Sequence, residues 1–174
     1  MIVLHLFVPG GPKKVRQSAT WSRLELLRRH GRHVVVDWPT NDDHDNAAAL
    51  NFFWNRGESL CVLEQDVEPT LEQLVDLERC TQADVCNLAT RCGGHGVVDA
   101  YDFRIRDQGG VRWGREGELV ADLFPLGCTI FRPAAMQRLS RVPDVGWSEL
   151  DTVLATQLGT RAHVHWPAAE HHHG

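Results

Sequence analysis

The chain has no C-x-x-C pair, no apolar run near the length of a membrane span, and no surplus of basic charge. Its five cysteines, Cys61, Cys80, Cys86, Cys92 and Cys128, are odd in number and carry no metal-ligand spacing. That argues against a disulfide framework and a cysteine-rich zinc site, and predicts reduced thiols in a cytoplasm. No stretch approaches the ~20 apolar residues of a spanning helix. The apolar opening Met1-Ile2-Val3-Leu4-His5-Leu6-Phe7-Val8 has its lysines, Lys13 and Lys14, after the apolar run instead of before it. It reads as a first strand, and the protein as cytoplasmic, neither secreted nor membrane-spanning. Eighteen basic against 23 acidic residues give a net charge of −5, so no general attraction to a phosphate backbone or anionic lipid is expected. Nucleic acid enters only as an acceptor held in a local groove.

Familiar phosphate-binding signatures are missing too. Gly10-Gly11-Pro12-Lys13-Lys14 is too short for a P-loop, lacks the following Ser or Thr, and loses a backbone donor to proline. Gly93-Gly94-His95-Gly96 does not have the G-x-G-x-x-G spacing, and no G-x-S-x-G elbow occurs. P-loop NTPases, dinucleotide oxidoreductases and α/β-hydrolases are poor fits.

What remains is an ordinary globular composition, 43% hydrophobic and 24% charged over 174 residues, enough to bury roughly 70% of the unfolded chain's surface in one domain. The first half alternates short apolar runs with helical patterns, the mark of stacked βα units. Strands are predicted over Ile2 to Val8, His33 to Asp37, Leu60 to Leu63 and Val85 to Ala89. Between them, Trp21, Leu24 and Leu27 share one helical stripe, and Leu50, Phe53 and Trp54 another. Thr70-x-x-Gln73 reads as a capping box opening a third helix with Leu71, Leu74 and Val75 inward. Beyond Arg91 the alternation of Tyr101, Phe103 and Ile105 and the turn signal Gln108-Gly109-Gly110 predict a hairpin. Gly127 to Phe131 is a further strand, Pro133 fits the first turn of a short helix, and Ser148 opens another with Leu150, Val153 and Leu154 inward. A last strand begins at Ala162 to His165, before a histidine-rich tail.

Four features carry chemistry. Glu64-Gln65-Asp66 directly follows the apolar strand Leu60-Cys61-Val62-Leu63. Ligands of open α/β sheets gather at the carboxyl ends of strands, and carboxylates at i and i+2 on one face call for a cation such as Mg²⁺ or Mn²⁺. The plainer reading is the start of a solvated loop. His163 and His165 share one face of an extended strand, and His171, His172 and His173 follow; they read as ligands of one metal, as edge-strand side chains, or as a purification remnant. Trp147-Ser148-Glu149-Leu150-Asp151 places an acid beside an aromatic wall, suiting a general base, though Ser148-x-x-Asp151 also resembles a helix cap. Asp37, at the end of the second strand, stands where the base or ribose of a nucleotide would be received, with Pro9 after the first strand grouped with it, though Asp37 reads equally as an ordinary loop acid. Trp113 and Trp166 are assigned to packing by default.

Together, the βαβαβ order, Leu63-Glu64-Gln65-Asp66-Val67-Glu68-Pro69, Gly127-Cys128-Thr129, Trp147 to Asp151 and the C-terminal histidines resemble the small GT-A type glycosyltransferases over most of the chain. The resemblance implies a single GT-A-like, Rossmann-like α/β domain over 1–174, with a mixed, mostly parallel sheet and helices on both faces. Residues 1–90 would be the nucleotide-sugar-binding half, and 91–174 the acceptor and catalytic half with the histidine segment. It also implies transfer of a sugar from a nucleotide-diphosphate sugar to a hydroxyl acceptor with Mn²⁺ or Mg²⁺. Asp66 would bind the metal, Glu64 the donor, Asp151 would act as base, and His171 would be a late metal ligand. The triplet departs from the family's D-x-D by having Glu first and Gln in the middle, which shifts metal binding toward Asp66 and the tail. The chain is also short for the family, so the acceptor part is reduced to residues 91–150 or supplied by a partner. Two other readings compete: a hydrolase whose zinc or manganese sits on His163, His165 and the tail, and a non-catalytic nucleotide- or sugar-binding module of the same fold.

Overall fold

The computed structural model describes residues 4–7, 34–37, 50–64, 66–92 and 99–171. Pro9, the helix expected around Trp21, and His172 and His173 lie outside them. The strands are β1 (Leu4–Phe7), β2 (Val34–Asp37), β3 (Leu60–Leu63), β4 (Val67–Glu68), β5 (Val85–Thr90), β6 (Tyr101–Asp107), β7 (Gly110–Gly114), β8 (Val120–Ala121), β9 (Cys128–Phe131) and β10 (Ala162–His171). The helices are α1 (Leu71–Arg79), α2 (Pro133–Met136) and α3 (Trp147–Leu158), together with a helical segment at 50–54.

The main sheet runs β2-β1-β3-β9-β5-β10-β4, with β8 also on β10, and β6 and β7 form a separate hairpin. This corrects the mostly parallel sheet expected. β1–β2, β1–β3 and β5–β10 are parallel, whereas β3–β9, β5–β9, β4–β10 and β8–β10 are antiparallel. The change comes from β9, which enters between β3 and β5 in the opposite sense, pairing Cys61 with Ile130 on one side and Cys86 with Ile130 on the other.

The central strands are buried on both faces, wholly apolar in β3 and interrupted in β5 and β9 by Asn87 and Thr129, which hydrogen-bond each other at 2.6 Å, and their alternation divides the core in two. Leu60 and Val62 of β3 and Val85 and Ala89 of β5 join Leu50, Phe53, Trp54, Phe131, Leu150 and Leu154 on one side. Cys61, Leu63, Cys86 and Leu88 join Leu74 and Leu77 of α1 on the other. Helices therefore cover both faces. Each large apolar side chain buried this way stabilises the fold by roughly 1.5–3 kcal/mol. Trp54 anchors its segment further by donating its indole N–H to Met136 O at 3.0 Å.

The capping box forms as its spacing predicts: Gln73 N donates to Thr70 Oγ1, and Thr70 N to Gln73 Oε1 at 2.7 Å. The helix after Gly146 departs from expectation. It starts at Trp147 with no side-chain cap, so Ser148 and Asp151 do not form one. A second correction concerns the thiols, since Cys80 at the end of α1 and Cys86 on β5 form a disulfide with Cα atoms 6.6 Å apart. Cys61, Cys92 and Cys128 are free. Among the described residues no helix is long and apolar enough to cross a membrane.

Candidate functional site

Chain reversal after β3 builds the site. Glu64 leaves the buried strand with its N–H on Gly127 O at 2.9 Å, and Val67 N–H then bonds back to Glu64 O at 3.2 Å, turning the chain into β4. β4 pairs antiparallel with the end of β10, setting Val67 opposite His171. That register places His171 beside Asp66, the residue preceding Val67. Gly127 packs closely on this turn, since a Cβ there would lie 3.1 Å from Val67 Cγ2, tight enough that the valine would have to shift.

Glu64, Asp66 and His171 each bring one ligand atom within 4.8 Å of the others. His171 Nε2 lies 3.6 Å from Asp66 Oδ1, and Nδ1 lies 3.1 Å from Asp102 Oδ2. Asp102, on β6, is itself held by the Thr90 hydroxyl, which donates to the same oxygen at 2.8 Å. Trp147, the first residue of α3, donates its indole N–H to Glu64 Oε1 at 2.7 Å.

The electrostatics follow from crowding acids in a half-buried place. Burial pushes the Glu64 carboxyl up from 4.5 to about 7; the Trp147 N–H works against this, the charges of Asp66 and Asp151 add to it, and His171 offsets part of it. For His171, burial disfavours the charged ring, but hydrogen bonds and charges from Asp102 and Asp66 outweigh it and raise it from 6.5 to about 10. At neutral pH the ring is therefore an imidazolium that counters the acids. Asp151 is also raised, by burial first, against hydrogen bonds from Thr152 and the nearby Arg104 charge.

Of the residues singled out in the sequence, the structure brings Glu64, Asp66 and His171 together and sets Asp151 within electrostatic reach of Glu64. Asp37 ends β2, at the far edge of the described sheet, and Pro9 lies outside the described residues. His163 and His165 do share a face, with rings 5.0 Å apart. They group with Cys80, and His171 groups with Glu64 and Asp66, so the described residues do not bring His171 to the pair as the histidine-centred hydrolase expected. Trp166 packs against Tyr101 at 4.6 Å and donates to Glu118 O, which makes it a packing residue.

Asp102 was missed by sequence reasoning. Its signal was present, as the polar residue between Tyr101 and Phe103, which point into the core at 8% and 0% exposure, so period-two alternation turns it to the other face.

Two carboxylates and an imidazole suit Mn²⁺, and carboxylates with diphosphate oxygens suit Mg²⁺. Glu64, Asp66 and His171 thus fit a divalent cation, once His171 yields its proton.

No protein-family model matches the chain, and no curated protein matches it. Solved structures do. The chain is similar to A197 from STIV, with a TM-score of 0.66 and 17% identity, over 100% of this chain and 87% of that one. UTP-bound UGPase from Acinetobacter baumannii aligns with a TM-score of 0.46 and 12% identity, over 94% of this chain and 86% of that one. The first of these likenesses shows that the chain has the fold of the A197 structure.

Proposed function

We propose that the protein is a divalent-cation-dependent glycosyltransferase, moving a sugar from a nucleotide-diphosphate sugar to a hydroxyl acceptor. The observation that carries this reading is the meeting of Glu64, Asp66 and His171 where β3 ends and β4 pairs with β10. Asp66 and His171 would hold the cation, Mn²⁺ or Mg²⁺, which would supply stabilisation of negative charge on the departing diphosphate. Trp147 fixes the rotamer of Glu64 through its 2.7 Å hydrogen bond, so that carboxyl presents its other oxygen to the donor. Asp102 orients His171 through Nδ1 and leaves Nε2 directed to Asp66. Asp151, made more basic by burial, takes the acceptor hydroxyl's proton.

The test is thermal unfolding with UDP, GDP, ADP, CDP or dTDP, each with and without Mn²⁺. A ligand that binds only the folded state stabilises it by about 2.7 kcal/mol at a hundredfold excess over Kd. The expected result is a rise in Tm with one nucleotide, only when Mn²⁺ is present, and its loss in Asp66→Asn. A nucleotide shift that is independent of metal and survives Asp66→Asn would overturn the assignment.

A further inference from the structure

On the sheet face covered by α1, and separate from the Glu64, Asp66 and His171 group, Cys80, His163 and His165 each offer a ligand atom within 4.8 Å of one another. The grouping follows from topology. Parallel pairing of β5 with β10 puts Cys86 opposite His163 and Leu88 opposite His165. Period two turns all four to one face, and α1 ends there at Cys80. The histidines pack ring against ring at 5.0 Å, and His165 Nε2 is buried with no hydrogen-bond partner among the described residues. A buried imidazole nitrogen left without a partner is costly unless something completes it. The Cys80–Cys86 disulfide occupies the sulfur that would do so.

We infer that Cys80, Cys86, His163 and His165 form a thiol-gated zinc site: closed while the two cysteines are joined, and a two-cysteine, two-histidine tetrahedron once they are reduced. The ligand types are those of structural zinc. In the opening step the sulfur–sulfur bond takes two electrons and two protons from a dithiol reductant, which becomes a disulfide, and two thiols result. Zn²⁺ then binds both sulfurs as thiolates, and their two protons pass to solvent. A cleft of about 690 Å³, bordered by Glu78, Cys80, Asp84 and Arg132, opens onto Cys80 at the end of α1. The disulfide ties only α1 to β5, whereas the metal would tie β10 to both.

The test uses Co²⁺ as the spectroscopic stand-in, added without oxygen to the full chain before and after dithiol reduction. The expected result is one Co²⁺ per reduced chain with thiolate-to-cobalt charge transfer and strong tetrahedral ligand-field bands, displaced by Zn²⁺ and absent from the oxidised protein. Co²⁺ at the carboxylate site gives no thiolate band, so Asp66→Asn keeps the signal. His163→Asn with His165→Asn loses it, and Cys80→Ser serves as the second variant should that pair not fold. A reduced chain with no thiolate band overturns the site. So does a band that survives loss of the histidines, since cobalt would then sit on cysteine sulfurs without either imidazole.

Discussion

Replacing Trp147 by phenylalanine keeps an aromatic ring at the start of α3 and deletes the indole N–H that donates to Glu64 Oε1. A hydrogen bond to a neutral acceptor contributes roughly 0.5–1.5 kcal/mol, and one to a charged acceptor roughly 1.5–3 kcal/mol. Glu64 is neutral below about pH 7 and charged above it, so the variant's loss should grow as pH rises through that range. Wild type already leans this way: a carboxyl raised from 4.5 to about 7 contributes its stability fully below 4.5 and loses it as pH rises through 7. Without the indole donor the carboxyl moves up further, and the loss continues to higher pH. The expected penalty is about 1 kcal/mol at pH 6 plus whatever ring packing costs, and about 1–1.5 kcal/mol more at pH 9. Packing does not titrate, so the difference between the two pH values isolates the hydrogen bond. Urea unfolding of chelator-treated protein, followed by far-ultraviolet circular dichroism, measures it. Equal losses at pH 6 and pH 9 would refute the reasoning.

Three other outcomes are expected. Mn²⁺ must displace the proton that Asp102 and Asp66 keep on His171 up to about pH 10, so affinity should rise about tenfold per pH unit between 7 and 9. Calorimetry in buffers of different ionisation heat should register the released proton, and His171→Asn should flatten the dependence. Phe131→Ala, at a fully buried ring packed on Trp54 and Phe124, should cost about 3–5 kcal/mol in denaturant melts. Thr70→Ala removes one half of the capping box and should cost about 1 kcal/mol, with helix content otherwise unchanged.

Glu64 and Asp66 were legible because an unbroken apolar strand stops at Leu63 and carboxylates begin at once, a change of character that only a strand end explains. The same holds for α1, whose Thr70 and Gln73 announce its start. Strand direction was not legible: Cys128–Phe131 reads as an apolar run whichever way it points, and only its neighbours show that it runs against β3 and β5. β4 and β8, at two residues each, are too short to leave a period. The Cys80–Cys86 bridge escaped because a gap of six residues says nothing until α1 is seen to stop at Cys80 and the chain to turn back into β5. The histidines shared one label in the sequence and two sites in the fold, since the pairing of β10 shifts between His165 and Ala169.

β10 thus works as a ruler. Its early residues carry His163 and His165, and its last described residue carries His171. Only their spacing along one strand brings each set to its own partners. A single residue inserted between His165 and His171 would turn the far histidine to the opposite face, and a two-residue slip would set Ala169 against Val67 in its place. The turn at residues 108–109, joining β6 to β7, has no such constraint. Length variation should therefore be tolerated in that hairpin and rejected in the final strand, whatever the sequence of either.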